Sequence, residues 1–264
     1  MRPQSNSNLT FEFAFKPPPW YHLKSMANQT AVDDRAISSA VQRSYRQGTR
    51  TELLEAAGHV FAEKGFDRAT GKEICERAGA NSAAINYYFG GMDGLYAAVL
   101  EEANRRLVPL ESVTAAIAQK TSARAKLQAI IELVVEKLLG PISSSWVLGV
   151  ISREILLPTS ALEHLYETQG VPKAHIAKSI IGELMGLPED HPGVARGCIS
   201  VMAPMLLLFV ADRSGLKRLF PTLSLTSNEA KVLSRHLVRF ALGGLSAVAR
   251  DVHAAYGKPL SSRA

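Results

Sequence analysis

The stretch Thr70 to Phe89, TGKEICERAGANSAAINYYF, decides the fold, because it reads as two short helices joined by a tight turn. Thr70 is a good N-cap, and Glu73 three residues later can return a hydrogen bond to the Thr70 backbone. T-x-x-E therefore opens a helix with a capping box, and that helix runs to about Arg77. Gly79 takes a positive φ without steric cost, and Asn81 caps a new start two residues further on. So short a break forces a sharp bend, which is the helix-turn-helix arrangement. At 100° per residue the second helix places Ile85 and Phe89 on one face, which must be buried, with Tyr88 at its border. Ser82, Ala83, Asn86 and Tyr87 fall on the other side, a small and polar surface able to enter a DNA major groove. An Asn there can bond the N6/N7 edge of adenine, and an Ala methyl can meet a thymine methyl. The same geometry occurs in proteins that bind no DNA, so spacing alone also allows a helical hairpin with a solvated face.

Working outward, a helix from about Thr49 to Lys64 carries Leu53, Ala57, Val60 and Phe61 on one stripe, with Gly65 as its stop. It is expected to close a three-helix core against Ile74 and Ile85, with the Cys75 thiol as a small apolar filler. Gly90-Gly91 breaks the chain, and a helix from about Met92 to Leu107 turns Leu95, Val99 and Ala103 inward before Pro109. From Ala123 to Leu139 an apolar helix with Leu127, Ile130, Ile131, Val134 and Leu138 ends at Gly140-Pro141. A capped helix holding Trp146 and Ile151 then stops at Pro158, and Pro172 and Pro192 suit the first turns of two more. The run Cys198 to Ala211, CISVMAPMLLLFVA, is short for a membrane span and is expected as a buried helix. Thr226 and Glu229 form a second T-x-x-E box, opening a long helix to about Tyr256 with Leu233, Leu237, Phe240, Leu245 and Val248 on its stripe. The small residues Ala241, Gly243 and Gly244 permit close helix approach there.

From Thr49 to Val99 the chain resembles the DNA-binding domain of the TetR/AcrR family of bacterial transcriptional regulators. The likeness rests on the order of features over about fifty residues: Thr-Arg before the first helix, the Phe61/Gly65/Phe66 corner, Thr70, Ile74, Ala78-Gly79 and the Tyr-Tyr-Phe-Gly ending. From about Pro141 to Phe220 it resembles the C-terminal domain of the CerR-type (YbiH-like) subset, whose W-x(6)-RE-x(3)-P pattern matches Trp146, Arg153, Glu154 and Pro158. The resemblance implies an all-α protein: a leader (1–42), an N-terminal three-helix helix-turn-helix DNA-binding domain (43–91), a larger helical ligand-binding and dimerisation domain (92–258) and a flexible tail (259–264). It further implies a homodimer that represses until a small-molecule effector releases it from double-stranded operator DNA. Arg50, Thr70, Lys72, Asn81, Ser82, Ala83, Asn86, Tyr87 and Tyr88 are the expected DNA-binding residues. Leu237, Phe240, Ala241, Gly244, Leu245 and Val248 are the expected dimer interface, in the last two helices that family members pack as a four-helix bundle. Trp146, Arg153, Glu154, Met202, Met205 and Phe209 are the candidate ligand contacts, with a structural Arg153–Glu154 ion pair and plain core packing as the alternative readings. The helix after Gly91 resembles the family's connector between the two domains. One departure is that Met92 stands where the family usually places a lysine that meets a DNA phosphate, which implies weaker or more salt-tolerant binding.

Composition sets bounds on this picture. With 264 residues, 47% hydrophobic and 20% charged, the chain is that of a globular protein of one or two domains. Two distant cysteines, Cys75 and Cys198, suggest no disulfide framework or zinc site, which fits a reducing cytoplasm. The net charge of +6 permits nucleic-acid binding, yet seven basic against six acidic side chains between Arg43 and Phe89 leave only +1 there. Placement matters more: Arg43, Arg46, Arg50, Arg68 and Lys72 sit near helix starts, where they add to backbone N–H groups in holding phosphates. The leader, with FEFAFKPPPWYH and a polar run, shows no secretory pattern and reads as disordered, or else as an arm for the minor groove, and Met26 is a second candidate start. No catalytic, metal or phosphate-loop spacing is seen and the seven histidines are scattered, so an enzyme, a cofactor and a membrane partner are not expected. The rival reading is a small-molecule-binding helical protein that has lost specific DNA binding.

Overall fold

The computed structural model describes residues 47–141 and 145–256; the expected leader, Arg43, Arg46 and the 259–264 tail lie outside the described residues. Arg50 and the described residues that follow it form one compact unit. The all-α expectation holds, with no strand among the described residues. Helix α1 covers 47–64, followed by α2 (Gly71–Ala78), α3 (Ala84–Phe89), α4 (Met92–Leu107), α5 (Leu110–Ile117), α6 (Ala123–Leu139) and α7 (Trp146–Leu156). Then come α8 (Ala161–Leu165), α9 (Val171–Met185), α10 (Pro192–Val210), α11 (Arg213–Leu219) and α12 (Ala230–Tyr256).

Two hydrophobic cores organise these helices. The first gathers Leu53, Ala57, Val60 and Phe61 of α1, Ile74 and Cys75 of α2, Ile85 of α3 and Leu95, Val99 and Ala103 of α4, the residues whose periodicity marks them as inward-facing. It also takes in Leu138 of α6 and Trp146, Val147, Val150 and Ile151 of α7, so α7 packs chiefly onto α1 and α4, with the end of α10 against it through the Ser152 hydroxyl on the Phe209 carbonyl at 3.0 Å. The second core joins α6 (Leu127, Ile131, Val135), α9 (Ile180, Ile181, Met185), α10 (Val194, Val201) and α12 (Val238, Leu245, Ala249). Helix α6 belongs to both, with Leu138 in the first and Leu139 in the second.

Several local expectations need correction. The Thr70 hydroxyl does accept from the Glu73 N–H at 3.3 Å, but the Glu73 carboxylate turns away to Lys64 at 2.6 and 2.8 Å, so the capping box is half made and a charged partner from α1 takes the other half. The Thr226 side chain caps nothing: a single 3₁₀ turn at Ser227–Glu229 leads into α12, held by the Glu229 N–H on the Thr226 carbonyl at 3.0 Å. Pro172 does sit in the first turn of α9, as expected, although no break separates that helix from the one before it. It lies just after a π-turn (Tyr166–Gly170) in a helical run from Ala161 to Met185, where the wider turn absorbs the donor that proline lacks. The apolar run Cys198–Ala211 is not a buried helix: Ile199 (69% exposed), Met202, Leu206 and Leu207 all face outward, because α10 packs along one side only. It is long and apolar enough to cross a membrane by length and composition, a property that core helices share.

Candidate nucleic-acid interface

Helix α2 ends where Gly79 takes φ 62°, and the Ala80 N–H reaches back to the Cys75 carbonyl at 2.9 Å, closing the helix and redirecting the chain within two residues. Asn81 then bridges to the next start. Its Oδ1 accepts from the Ala83 N–H at 2.6 Å and its carbonyl from the Ala84 N–H at 2.9 Å, so Asn81 closes a turn and is not itself the N-cap: α3 starts at Ala84, two residues later than an Asn81 cap would start it. Ile85 pins α3 to the core, while Ser82, Ala83, Asn86 and Tyr87 are exposed, Tyr87 to 65%. This is the arrangement the helical wheel gives. Tyr88 is half-buried and meets Tyr87 edge-on with ring centroids 4.8 Å apart, which sets the outer ring standing off the helix.

The expected phosphate contacts flank this face. The Arg50 guanidinium lies 5.0 Å above the Phe89 ring, so a cation from α1 is held beside the end of α3. Lys72, in the first turn of α2, is exposed and only loosely paired with Glu76 at 3.8 Å. Gly90 (φ 74°) and Gly91 (φ 128°) turn the chain into α4. Met92 packs against the first core, and its sulfur lies within 3.6 Å of where a β-carbon on Gly71 would sit.

Behind this surface lies a polar seam that joins α7 to α1 and α4, and it receives three of the six candidate ligand residues. Trp146 lies flat on Gly58 of α1, where a β-carbon would come within 2.4 Å of the indole, and its Nε1 donates to Glu55 at 2.7 Å. Arg106 of α4 also bonds Glu55 and lies over the Trp146 ring at 5.1 Å. Burial by itself would raise the Glu55 carboxyl, but the hydrogen bonds from Arg106 and Trp146 outweigh it and hold the group below its usual range. Arg153 donates to the carbonyls of Ala62 (2.8 Å) and Glu63 (2.9 Å), satisfying the C-terminal end of α1.

Glu154 is 1% exposed and accepts from the Tyr96 hydroxyl (2.5 Å) and from the backbone N–H and hydroxyl of Thr159 (2.8 Å each). The Arg153–Glu154 pair is therefore not formed; consecutive helical side chains diverge by 100°, and each finds partners on a different helix. Burial, reinforced by the bond to Glu154, pushes the Tyr96 phenol well above its ordinary value. Of the remaining candidates, Phe209 packs against the first core, Met205 against the second, and Met202 is exposed. Sequence reading missed Glu55, Gly58, Tyr96, Arg106 and Thr159; the only local signal was the glycine at 58 inside an otherwise regular helix.

The expected interface residues of α12 divide. Leu245 is buried in the second core, with Leu237 and Ala241 half-buried against it, whereas Phe240 (70% exposed), Gly244 and Val248 face out. With Arg196, Gly197, Ser200 and Val201 of α10 they line a shallow cleft of about 250 Å³.

The family model of bacterial regulatory proteins of the tetR family matches residues 53–99, and the model of the C-terminal domain of the HTH-type transcriptional dual regulator CecR matches residues 123–245. The chain belongs to the TetR family. The C-terminal type expected under the name CerR is the CecR domain of the second model. Among curated relatives, the transcriptional regulator BetI of Paraburkholderia phytofirmans is 29% identical over 103 residues, covering 38% of this chain and 52% of BetI. The dual regulator CecR of Shigella flexneri is 31% identical over 134 residues, covering 48% of this chain and 59% of CecR. The chain thus spans about half the length of the curated relatives it matches. The ketosteroid transcriptional regulator KstR2 of Mycobacterium tuberculosis shares the TetR-family fold with a TM-score of 0.56 at 16% identity, over 74% of this chain and 93% of that one.

Proposed function

We propose that this TetR-family chain is a ligand-responsive, homodimeric, DNA-binding transcriptional regulator of the cytoplasm, a repressor released from operator DNA by a small molecule. The observation that carries the reading is the outer face of α3, where Ser82, Ala83, Asn86 and Tyr87 are exposed on a helix that Ile85 holds to the core. Asn86 reads an adenine edge, Ala83 a thymine methyl, and Arg50, Thr70, Lys72, Asn81, Ser82, Tyr87 and Tyr88 fix the helix on the backbone around it. Residues 43–91 form the DNA-binding domain and 92–258 the sensing and dimerisation domain. Supporting the dimer is the uncovered apolar face of α10 and α12 around Phe240, Gly244 and Val248. Two reading helices about one DNA turn apart select a site far better than one.

The effector site lies in the 92–258 domain, where Met202 and Met205 supply adaptable apolar surface. Trp146, Arg153 and Glu154 have a different task in this reading, since their polar groups are engaged with α1, α4 and Thr159; they carry a change in the sensor domain to the reading helices.

Binding of the purified protein to DNA from upstream of its own gene, against a scrambled competitor at two salt concentrations, tests the reading. Selective binding that survives moderate salt is expected. A second reading, a helical small-molecule sensor without specific DNA binding, is favoured by Met92 packing into the core and by the absence of any basic residue in α3. Unselective binding at both salts, on operators drawn from the whole genome, selects it.

A further inference from the structure

Between α11 and the segment 220–226 lies a cleft of about 280 Å³, lined by Arg213, Lys217, Pro221 and the residues from Thr222 to Thr226. Its chemistry is one-sided. Arg213 and Lys217 are four residues apart on one helix and so present their charges on the same face. Thr222, Ser224 and Thr226 add hydroxyls, and none of the lining residues is acidic. The neighbouring acid, Asp212, is engaged elsewhere: its two oxygens accept from the N–H groups of Ser214 (3.0 Å) and Gly215 (2.8 Å) and cap α11.

Arg213 is the unusual member. It is half-buried, and it donates to two carbonyls, those of Leu225 (3.3 Å) and of Leu138 at the end of α6. Burial pulls its pKa below the ordinary value, and among the described residues no acidic group pulls it back. A guanidinium offers five N–H donors in a planar fork, so two carbonyls leave donors for a ligand. A half-buried cation with no counter-ion is costly, and an oxyanion entering from solvent would offset that cost through charge-assisted hydrogen bonds. The volume exceeds what a bare inorganic oxyanion fills, and Pro221, Leu223 and Leu225 add an apolar wall. We infer that the α11 cleft binds a small organic oxyanion, its phosphate or carboxylate head on Arg213 and Lys217 and its apolar body against Pro221 and Leu223.

The test uses the full chain without DNA, titrated calorimetrically at low salt with phenyl phosphate, benzoate, inorganic phosphate and neutral phenol. Saturable binding of one organic anion per chain is expected, with phenol silent and inorganic phosphate weaker; the ratio of phenyl phosphate to benzoate affinity identifies the preferred head. Lys217 is exposed, so Lys217→Glu should leave the thermal melt unchanged while weakening binding about tenfold or more, and Lys217→Gln should weaken it less. Arg213→Gln tests the second cation, with its melt as control for the lost carbonyl bonds. No heat from either organic anion with the wild-type chain overturns the inference, as does phenol binding equal to benzoate or unchanged affinity in Lys217→Glu. An effect of Lys217→Glu confined to DNA affinity overturns it in favour of a backbone-phosphate contact.

Discussion

Helices α3 and α12 both leave part of their surface to solvent, and the two surfaces could hardly differ more. On α3 the exposed residues are Ser82, Ala83, Asn86 and Tyr87: short, polar or amphipathic, and backed by Ile85. On α12 the exposed residues include charged ones such as Arg235 and Arg239, but also Phe240, Gly244 and Val248, which line a cleft with Gly197 and Val201 of α10. A polar face loses little by staying wet, whereas a contiguous apolar one marks a surface that another body covers. Exposure alone therefore says little; the chemistry of what is exposed separates a surface suited to reading DNA edges from one suited to a second copy of the chain.

The largest effect is expected where that contrast is reversed. Phe240→Asp puts a carboxylate on the apolar face, and at 70% exposure it should leave the folded protomer intact. In a dimer built on α12 each such charge is buried without a partner, at about 3–5 kcal/mol, so size-exclusion chromatography with light scattering should find a monomer. Gly244→Leu is the milder probe. A β-carbon at Gly244 meets nothing within 4 Å in the protomer, so the added side chain costs nothing there but wedges an interface apart, at about 1–3 kcal/mol. A dimer that survives both changes lies on another surface.

The reading face gives the next effect. Asn86→Ala should cost about 1–3 kcal/mol at a specific operator and little on random DNA, measured by fluorescence anisotropy against both. Equal losses on the two would make Asn86 a backbone contact. The same substitution should not alter the oligomeric state, which keeps the two surfaces separable.

How much of this was legible in the sequence follows the same division. The helix-turn-helix is a local structure: Thr70, Gly79 and Asn81 set its boundaries through hydrogen bonds within a few residues, and one helical period suffices to place Ile85 inward and Asn86 outward. The bounds of α4 and α6 were equally readable, since Gly90-Gly91, Pro109 and Gly140-Pro141 are chain-level stops. Long-range partners were not. The spacing of Trp146, Arg153 and Glu154 marks them as special but cannot say that α7 turns them towards α1 and α4, because Glu55, Gly58 and Tyr96 lie about 60 to 90 residues away. Nor does the hydropathy of Cys198–Ala211 reveal that only one side of α10 is covered within the chain.

The smallest effect tests the link between the two cores. Lys173 of α9 is half-buried, with its ammonium 3.2 Å from the Asn104 amide oxygen on α4, and burial draws its pKa down to about 8 despite attraction from Glu111. Its unfolded value is about 10.4. Between these two pH values the unfolded chain binds the extra proton, so stability rises with pH across that window and the rise stops above it. Tyr96 acts in the opposite sense. Its raised native pKa means that the unfolded chain releases the phenolic proton first, so stability falls as pH climbs past about 10. The thermal midpoint should therefore pass through a shallow maximum near pH 10. Lys173→Met should remove the rising limb and Tyr96→Phe the falling one. A profile that keeps its rise in Lys173→Met would mean that the ammonium is already solvated in the native state, and that the contact from α9 to α4 does not hold the two cores together.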